Sequence, residues 1–418
     1  MTTTELPHRL PTDRYWSPEW AERERRALWP RVWQLACTVD HVPEPGDVYE
    51  YRCGDLSVLV VRTGDGRLRA FQNACRHRGS AICEGQAAGL TELRCPYHRW
   101  SWTLDGELRE VPSRREFGAV RNDDLPLLAV AVDTWGPFVF VNVDAAAEPL
   151  ADYLEGVPAD VEWAGLDRYV CRYGISVPLP CNWKTAIEAF GETYHVQGIH
   201  PEMLAMCDDV HSPNALFGKH GRLLQPYGVP SPRLGRDVGP QRVWEGFVEV
   251  MGVRVGRDQS VHPGPHPPIP DGETLRDVLD RMVREQLAAR GVDAGRFSQE
   301  QVLDLFQYNL FPNATVVLLV DLIQVMRARP GATPDECWLD GFFLERVADE
   351  GPRGATRVVD VVVPPGEADF GLVLNQDVEN LQRVQRGLHQ PGLREIVLSA
   401  EEIRIVNQHR WLERYVGA

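Results

Sequence analysis

Cys75-Arg76-His77 and Cys95-Pro96-Tyr97-His98 are the two stretches around which this chain is organised. Each stretch combines one cysteine with one histidine at a spacing that fits a single tight loop. The spacer between them, positions 78–94, is long enough for the two loops to meet around one metal centre. The arrangement therefore predicts a shared site with two sulfur and two nitrogen ligands.

The residues around these loops have the pattern of a small β-rich module. Segments 48–51, 56–61 and 138–143 are rich in β-branched and aromatic residues, and glycine-containing turn sequences lie between the first two segments and the third. We therefore expect an all-β domain over residues 40–150 that contains both loops.

Two metal centres use two cysteines and two histidines: a structural zinc ion and a Rieske [2Fe–2S] cluster. Zinc fingers normally pair cysteine with cysteine and histidine with histidine along the chain, whereas here each loop supplies one of each. The mixed loops favour the cluster, in which thiolates bind one iron and imidazoles bind the other. Cys75, His77, Cys95 and His98 are the predicted cluster ligands, and the cluster would relay single electrons.

A second group of metal-binding side chains comprises Glu192 and His195, followed by His200. Residues 180–200 are predicted to be helical, which would place Glu192 and His195 on one face. Pro201 disfavours helical geometry at the preceding residue, so His200 is expected where the helix distorts or ends. Both histidines could be ordinary core residues, but the neighbouring cluster motif favours a mononuclear metal site.

The third ligand of such a site must be a carboxylate from elsewhere in the chain. Asp377, near the start of a helix predicted over residues 375–388, is the preferred candidate, and Glu379 is its neighbouring competitor. An acid at this position would also be favoured by the helix dipole alone. Two histidines and one carboxylate form the ligand set of mononuclear non-haem Fe(II) oxygenases.

The remaining sequence predicts an α+β fold with three parts. Residues 1–39 form an N-terminal helical segment that packs on the catalytic domain, residues 40–150 the β-rich domain, and residues 151–418 the catalytic domain. The last part alternates strand patterns with long amphipathic helices, which suggests an antiparallel sheet gripped by helices. Residues 224–270, rich in proline and glycine, are predicted to be an irregular loop at the entrance of a substrate pocket.

Composition excludes several classes of function. The net charge of −16 argues against nucleic acid or an anionic membrane as the main partner. No secretory signal is visible at the N-terminus, and no apolar run approaches the ~20 residues of a membrane span. Nine irregularly spaced cysteines do not suggest a disulfide framework. We expect a cytoplasmic protein.

These motifs resemble those of the α subunits of Rieske non-haem iron oxygenases, the ring-hydroxylating oxygenase family. The matching stretches are residues 75–79, 95–100, 182–184, 192–201, 376–377 and 385–388. The resemblance implies a Rieske domain joined to a helix-grip (START-like) catalytic domain, and a head-to-tail trimer. It also implies that Glu192 has a catalytic role, bridging His195 to His98 of the adjacent subunit.

One position departs from the commonest family pattern. The aromatic dioxygenases usually carry aspartate where this chain has Glu192, and glutamate occurs in some members that act on quaternary amines. Hydroxylation of an organic substrate, with aromatic compounds as the first expectation, and monooxygenation or oxidative N- or O-demethylation are therefore both open.

The resulting functional prediction is a terminal oxygenase that uses O₂ and a small organic substrate. Electrons would come from NAD(P)H through a separate reductase, with or without a ferredoxin, because the chain lacks a Gly-x-Gly-x-x-Gly nucleotide fingerprint. A β subunit is left open. The alternatives are an electron-transfer protein without oxygenase activity and a carrier of hydrophobic ligands. Iron content separates the three possibilities. The oxygenase would contain three irons per chain, the electron-transfer protein two and the ligand carrier none.

Overall fold

The computed structural model describes residues 6–235, 237–354 and 356–417. Its strands, in chain order, are β1 (His8–Pro11), β2 (Gln34–Thr38), β3 (Val48–Cys53), β4 (Leu56–Arg62), β5 (Leu68–Gln72), β6 (Gln86–Ala87), β7 (Leu93–Arg94), β8 (Ser101–Trp102), β9 (Leu108–Glu110), β10 (Ala129–Trp135), β11 (Phe138–Asn142), β12 (Tyr169–Leu179), β13 (Asn214–Phe217), β14 (His220–Gln225), β15 (Leu305–Leu310), β16 (Ala314–Leu318), β17 (Leu322–Pro330), β18 (Cys337–Arg346), β19 (Asp360–Val362) and β20 (Glu395–Leu398).

The α-helices, in chain order, are α1 (Pro18–Ala27), α2 (Leu150–Tyr153), α3 (Val157–Val161), α4 (Trp183–Glu188), α5 (Val196–Ile199), α6 (Pro240–Met251), α7 (Leu275–Ala289), α8 (Gln299–Leu303), α9 (Leu372–Leu388) and α10 (Ile403–Val416). None of the helices in the described ranges combines the length and the apolar character that crossing a lipid bilayer requires.

Two sheets form the β-rich part of the molecule. One has the strand order β2-β11-β10-β5-β4-β3-β6, and β7, β8 and β9 form a smaller antiparallel sheet beside it. A separate hydrophobic cluster lies here, built from side chains such as Leu59, Phe71 and Trp102, and it includes Cys75 and Cys95. The predicted all-β module is confirmed, and its core reaches the base of both cysteine loops.

An eight-stranded sheet forms the framework of the second half, in the order β13-β14-β15-β16-β17-β18-β12-β19. Its neighbours are antiparallel except for the edge pair β12 and β19. Helix α4 packs on β17 and β18, α9 packs on α4, and α10 packs on β14. The α+β class with an antiparallel sheet is therefore confirmed.

The N-terminal segment contacts both halves of the molecule. On α1, Glu24 accepts hydrogen bonds from the buried Nζ of Lys184 at 2.6 Å and from Nε1 of Trp183 at 2.9 Å. A buried charge is stable only with such partners, so α1 is fixed to the start of α4. Strand β2, the last part of the predicted 1–39 segment, instead pairs with β11. The domain boundaries drawn from the sequence stay predictions.

The helix predicted over residues 180–200 is interrupted. Helix α4 ends at Glu188 and α5 begins at Val196, so Glu192 lies in the intervening loop. At Gly191 a Cβ atom would lie 2.6 Å from Cγ1 of Ile405 on α10 and 2.9 Å from the Glu188 carbonyl oxygen. The loop packs against α10 at this point. The prediction that Glu192 and His195 share one face of a continuous helix was therefore wrong.

The segment 224–270 is not irregular throughout. Helix α6 lies inside it and buries Val243, Trp244, Phe247 and Val248. Pro240 stands at the first position of this helix, where a proline is tolerated because its missing N–H would have no partner within the helix. The prediction of a continuous loop was therefore wrong for α6, whereas positions 256–273 carry neither helix nor strand.

Candidate functional site

The two cysteine–histidine loops have matching backbone hydrogen bonds. In each loop the cysteine N–H donates to the carbonyl oxygen five residues later, and the N–H four residues later donates back to the cysteine carbonyl, at 2.8–3.2 Å. Gly79 and Arg99 occupy that fourth position with φ of 75° and 64°. The left-handed conformation costs little for glycine but is strained for arginine. The second loop therefore holds a strained residue beside a predicted ligand.

The four predicted cluster ligands converge. The rings of His77 and His98 have centroids 4.7 Å apart, and Cys75 and Cys95 are both buried in one hydrophobic cluster. Burial alone would raise the pKa of Cys95, but the N–H groups of Tyr97 and His98 that point at its sulfur lower that pKa.

The donor set fits a Rieske cluster. Nδ1 of His77 is buried and has no hydrogen-bond partner among the described residues, as a nitrogen reserved for a metal should be. The ring of His77 stacks on Trp100, with centroids 5.2 Å apart and planes 6° apart. This stacking restricts the orientation of the ring that carries the unpartnered Nδ1.

Asn73 is a residue of this site that sequence reasoning missed. Its buried Oδ1 accepts from the N–H of Ile82 at 2.8 Å, and its Nδ2 donates to the carbonyl oxygen of Cys83 at 2.7 Å and to Oγ of Ser57 at 3.0 Å. These bonds close the base of the first loop onto strand β4. An asparagine before a loop is common, so the sequence alone could not show this role.

The structure brings His195, His200 and Asp377 together. One ligand atom from each lies within 4.8 Å of the other two. Oδ1 of Asp377 lies 2.9 Å from Nε2 of His200 and 3.4 Å from Nε2 of His195. Both histidines therefore direct the same ring nitrogen to one point, the geometry of a 2-His-1-carboxylate metal site.

The opposite nitrogen of each ring is held by an acceptor. Nδ1 of His195 lies 2.7 Å from Oε1 of Glu192, and Nδ1 of His200 lies 2.7 Å from Oε1 of Gln376. Such bonds fix the tautomer and orientation of metal-binding imidazoles. Burial alone would lower the pKa of His195, but its hydrogen bond to Glu192 and the nearby Asp377 carboxylate raise that pKa. Gln376 was not singled out as a site residue from the sequence.

The two carboxylate candidates on α9 differ in position. Asp377 is buried and faces the histidines, whereas Glu379 is exposed. Helix α9 begins at Leu372, earlier than the sequence suggested, so Asp377 lies in its second turn.

A buried amide fixes α9 relative to α4. Oε1 of Gln385 accepts from the N–H of Asn182 at 3.1 Å and from the hydroxyl of Thr185 at 2.9 Å. Its Nε2 donates to the carbonyl oxygen of Tyr15 at 3.1 Å and to Oδ1 of Asp335 at 2.6 Å. Since α9 carries Asp377 and the loop after α4 leads to His195, this amide sets the relative placement of two predicted metal ligands.

A cavity of about 730 Å³ opens onto the three predicted metal ligands. Its walls come from β14 to β17, the start of α9, and the segment from Glu249 to Ser260 that includes the end of α6. A larger cleft of about 1150 Å³ lies between α1 and the β3–β4 hairpin, and none of the predicted ligands lines it. The first cavity is therefore the candidate substrate site.

Two family models match the chain. The model for the Rieske [2Fe-2S] domain matches residues 32–131, and the model for the ring hydroxylating alpha subunit (catalytic domain) matches residues 166–418. The first range contains all four predicted cluster ligands, and the second contains the three predicted ligands of the mononuclear metal.

Curated relatives match over part of their length. The oxygenase subunit of glycine betaine monooxygenase from Pseudomonas aeruginosa (strain UCBPP-PA14) is 30% identical over 210 residues, covering 49% of this chain and 48% of that protein. The large oxygenase component of the 2,4-dinitrotoluene dioxygenase system from Burkholderia sp. (strain RASC) is 31% identical over 225 residues, covering 50% and 49%. The chain thus spans about half the length of these relatives.

The fold is shared with solved structures over nearly the whole chain. A quaternary ammonium Rieske monooxygenase, whose structure gave insights into carnitine oxidation and inter-subunit electron transfer, superposes with a TM-score of 0.68 at 15% identity. The superposition covers 97% of this chain and 94% of that one.

Proposed function

Because the chain belongs to the family of ring-hydroxylating α subunits, we propose that it is the terminal oxygenase component of a multi-protein system. It takes electrons through a Rieske cluster to a mononuclear Fe(II) and uses O₂ to hydroxylate an organic substrate. The observation that supports this most strongly is the presence of both donor sets in one chain, the second at a large cavity.

His195, His200 and Asp377 would hold the ferrous ion, which when bound supplies the centre for O₂ activation. The chain's own part is to orient the ligands. Glu192 and Gln376 hold the two imidazoles through Nδ1, so that Nε2 of each remains available. The apolar walls of the cavity would surround the substrate beside the metal site.

Cys75, His77, Cys95 and His98 would hold the cluster, which when bound stores one electron at a time. N–H groups directed at the cysteine sulfurs stabilise negative charge there, which raises a cluster's reduction potential. Burial of both sulfurs in the hydrophobic cluster around Trp102 keeps water from them.

The electron is proposed to cross between subunits of a head-to-tail trimer. The loop with the predicted iron ligand reaches the surface, since 23% of the His195 side chain is exposed and Tyr194 is 47% exposed. Tyr97, next to the cluster ligand His98, is 58% exposed and has the guanidinium of Arg78 5.5 Å from its ring centroid. Exposed aromatic side chains such as Tyr194 and Tyr97 suit an interface between two copies of the chain.

Charge complementarity supports the same contact. Arg76, Arg78 and Arg99 surround the cluster loops, whereas Glu192 carries a carboxylate at the iron site. Opposite charges steer and orient partners. In the proposed trimer Glu192 accepts hydrogen bonds from His195 and from His98 of the partner subunit, giving a short path for electron and proton.

A separate NAD(P)H reductase is the proposed electron source, directly or through a ferredoxin. All nine cysteines are free, which suits the reducing cytoplasm. A small β subunit is compatible with this scheme.

A second candidate reaction is monooxygenation that ends in N- or O-demethylation. It is favoured by Glu192 and by the likeness to glycine betaine monooxygenase. Release of formaldehyde during turnover distinguishes demethylation from hydroxylation of a retained carbon.

The test combines metal analysis with a substrate screen. Reconstituted protein should contain three irons per chain and show substrate-dependent O₂ uptake with a surrogate reductase. Two irons per chain without O₂ uptake would make it an electron-transfer protein, and a metal-free protein would make it a ligand carrier.

A further inference from the structure

The sheet face of the 730 Å³ cavity carries a row of three residues across neighbouring strands. Gln307 on β15 lies opposite Val317 on β16, and Val317 lies opposite Gln324 on β17. Residues in register share a face of the sheet, and strands are about 4.8 Å apart. The two glutamine backbones are therefore about 10 Å apart, with Val317 between them.

Apolar side chains flank this row on both sides. Leu305 and Leu322 lie two positions before the glutamines on their strands, Met326 lies two positions after Gln324, and all three line the cavity. Across the cavity the start of α9 adds Leu372 and Val373. Gln225 on β14 also lines the floor, where its Nε2 donates to the sulfur of Cys207 at 3.4 Å. The other polar groups of this otherwise apolar floor are the amides of Gln307 and Gln324.

The hydrogen-bonding states of the two amides differ. Nε2 of Gln307 donates to the carbonyl oxygen of Phe190, which leaves its Oε1 as an acceptor in a fixed direction. Gln324 is half-buried, and its amide has no hydrogen bond to any other described residue. An amide in an apolar cavity is stabilised when a ligand supplies the missing partner.

Two carboxylates line the cavity interior, and both are already engaged, Glu192 by His195 and Asp377 by both histidines. Arg254 is paired with Asp321 at 2.9 Å, and Glu249 lies at the exposed rim. Phe190, Tyr227 and Phe370 line the cavity, but no two of these rings are in ring–ring contact in the described structure. Quaternary ammonium groups are typically held by closely grouped aromatic rings.

We propose that Gln324, together with Oε1 of Gln307, determines substrate specificity by binding a hydroxyl, carbonyl or amide substituent of a neutral, largely apolar molecule. Calling that molecule the substrate rests on the proposed oxygenase function. The recognition differs from the chemistry named for the glycine betaine relative, whose substrate is a quaternary amine.

Three compounds of nearly equal shape test this. They are 4-tert-butylphenol, tert-butylbenzene, which lacks the hydroxyl, and (4-hydroxyphenyl)trimethylammonium, which replaces the tert-butyl group with a cation. Binding to the full-length, metal-loaded protein is measured by anaerobic equilibrium dialysis, which does not depend on turnover. We expect the phenol to bind at least ~10-fold more tightly than the cation, because the apolar interior does not compensate for lost hydration of the charge.

The Gln324→Leu variant isolates the amide. It should weaken binding of the phenol by about threefold to tenfold, the worth of one hydrogen bond, and change binding of tert-butylbenzene by less than about twofold. Gln390→Leu, at an exposed amide after α9, is the matched control and should change neither. Circular dichroism and the cluster absorption spectrum check that Gln324→Leu folds.

Several results would overturn the inference: equal or tighter binding of the cation, no saturable binding of the phenol, or unchanged phenol affinity in Gln324→Leu. Failure of the oxygenase proposal is detected by a different measurement, iron-dependent O₂ uptake. If the binding preferences hold but no compound supports iron-dependent O₂ uptake, the amides recognise a ligand and the proposed function is wrong. If O₂ uptake occurs with the cation but not with the phenol, the oxygenase stands and the inference falls.

Discussion

Oδ1 of Asp377 lies 2.9 Å from Nε2 of His200, although 177 residues separate them in the chain. A carboxylate and an imidazole nitrogen this close would form an ion pair if the ring were protonated. A second imidazole nitrogen, on His195, lies 3.4 Å from the same oxygen. An arrangement in which both rings direct Nε2 towards one carboxylate is explained more simply by a shared metal ion than by two ion pairs.

Removal of that carboxylate should empty the mononuclear site. We expect Asp377→Ala to lose one iron per chain and all turnover, because two histidines alone form an incomplete ligand set. Plasma mass spectrometry measures the iron, and electron paramagnetic resonance checks that the reduced cluster is unchanged. Glu379→Ala, on the exposed side of α9, is the control. Full iron in the first variant and loss in the second would mean that the carboxylate is wrongly assigned.

The amide behind His200 should tune metal affinity without being a ligand. Gln376→Leu removes the acceptor for Nδ1 of His200, so the ring loses its fixed orientation. Partners of this kind are worth about 10- to 100-fold in metal affinity. A titration of apoprotein with Fe(II) under anaerobic conditions measures the dissociation constant of the metal. The control is Gln382→Leu, at an exposed position of the same helix, which should bind iron normally. An unchanged affinity in Gln376→Leu would show that this amide does not contribute to metal binding.

Asn73 should be needed for cluster assembly. Asn73→Leu leaves buried N–H and carbonyl groups at the base of the first loop without partners, each at a cost of about 1–3 kcal/mol. The loop that carries Cys75 and His77 should then no longer hold the cluster. We expect a protein with weak visible absorption that still binds one iron, while Asn122→Ala, at an exposed position, stays fully coloured. A full cluster complement in Asn73→Leu would show that the loop is held by other contacts.

Local spacing was sufficient to predict the cluster loops and two features of the iron site. Mixed cysteine and histidine pairs specify short loops whatever the surrounding fold. Pro201 led to the expectation that His200 lies where a helix ends, and His200 is the capping residue directly after α5. Asp377 was preferred over Glu379, and the structure places only Asp377 beside the histidines.

The parts that the sequence did not show depend on distant partners. At the break after α4, Gly191 packs against Ile405 of α10, and α10 lies far away in the chain, so the local sequence does not show this contact. Gln376 and Asn73 are polar residues of ordinary appearance, and their roles exist only through the residues they contact. The proline- and glycine-rich composition of residues 224–270 suggested a loop throughout, although Pro240 begins α6, because proline suits both a turn and a first helical position.

Glu192 should matter for electron transfer more than for metal binding. In the proposed trimer it links His195 to the cluster histidine of the partner subunit, so Glu192→Gln should keep three irons per chain and the trimer. Reoxidation of the reduced cluster in a single turnover should nevertheless slow by orders of magnitude. Sedimentation confirms the assembly state and stopped-flow absorbance follows the cluster. A normal rate in this variant would confine Glu192 to orienting His195 within its own subunit.

In the proposed reaction, electrons stored in the cluster reach O₂ at the site formed by His195, His200 and Asp377. The direct measurement is one turnover under oxygen-18 gas. The protein is reduced, freed of reductant and mixed with the best-bound neutral compound. Cluster reoxidation is followed by absorbance, and the products are analysed by mass spectrometry. We predict that the cluster is reoxidised with oxygen-18 incorporated into product in the native protein, and that His200→Ala keeps its cluster but does neither. Reoxidation at the same rate in His200→Ala, or a hydroxylated product without oxygen-18 in the native protein, would contradict this electron route.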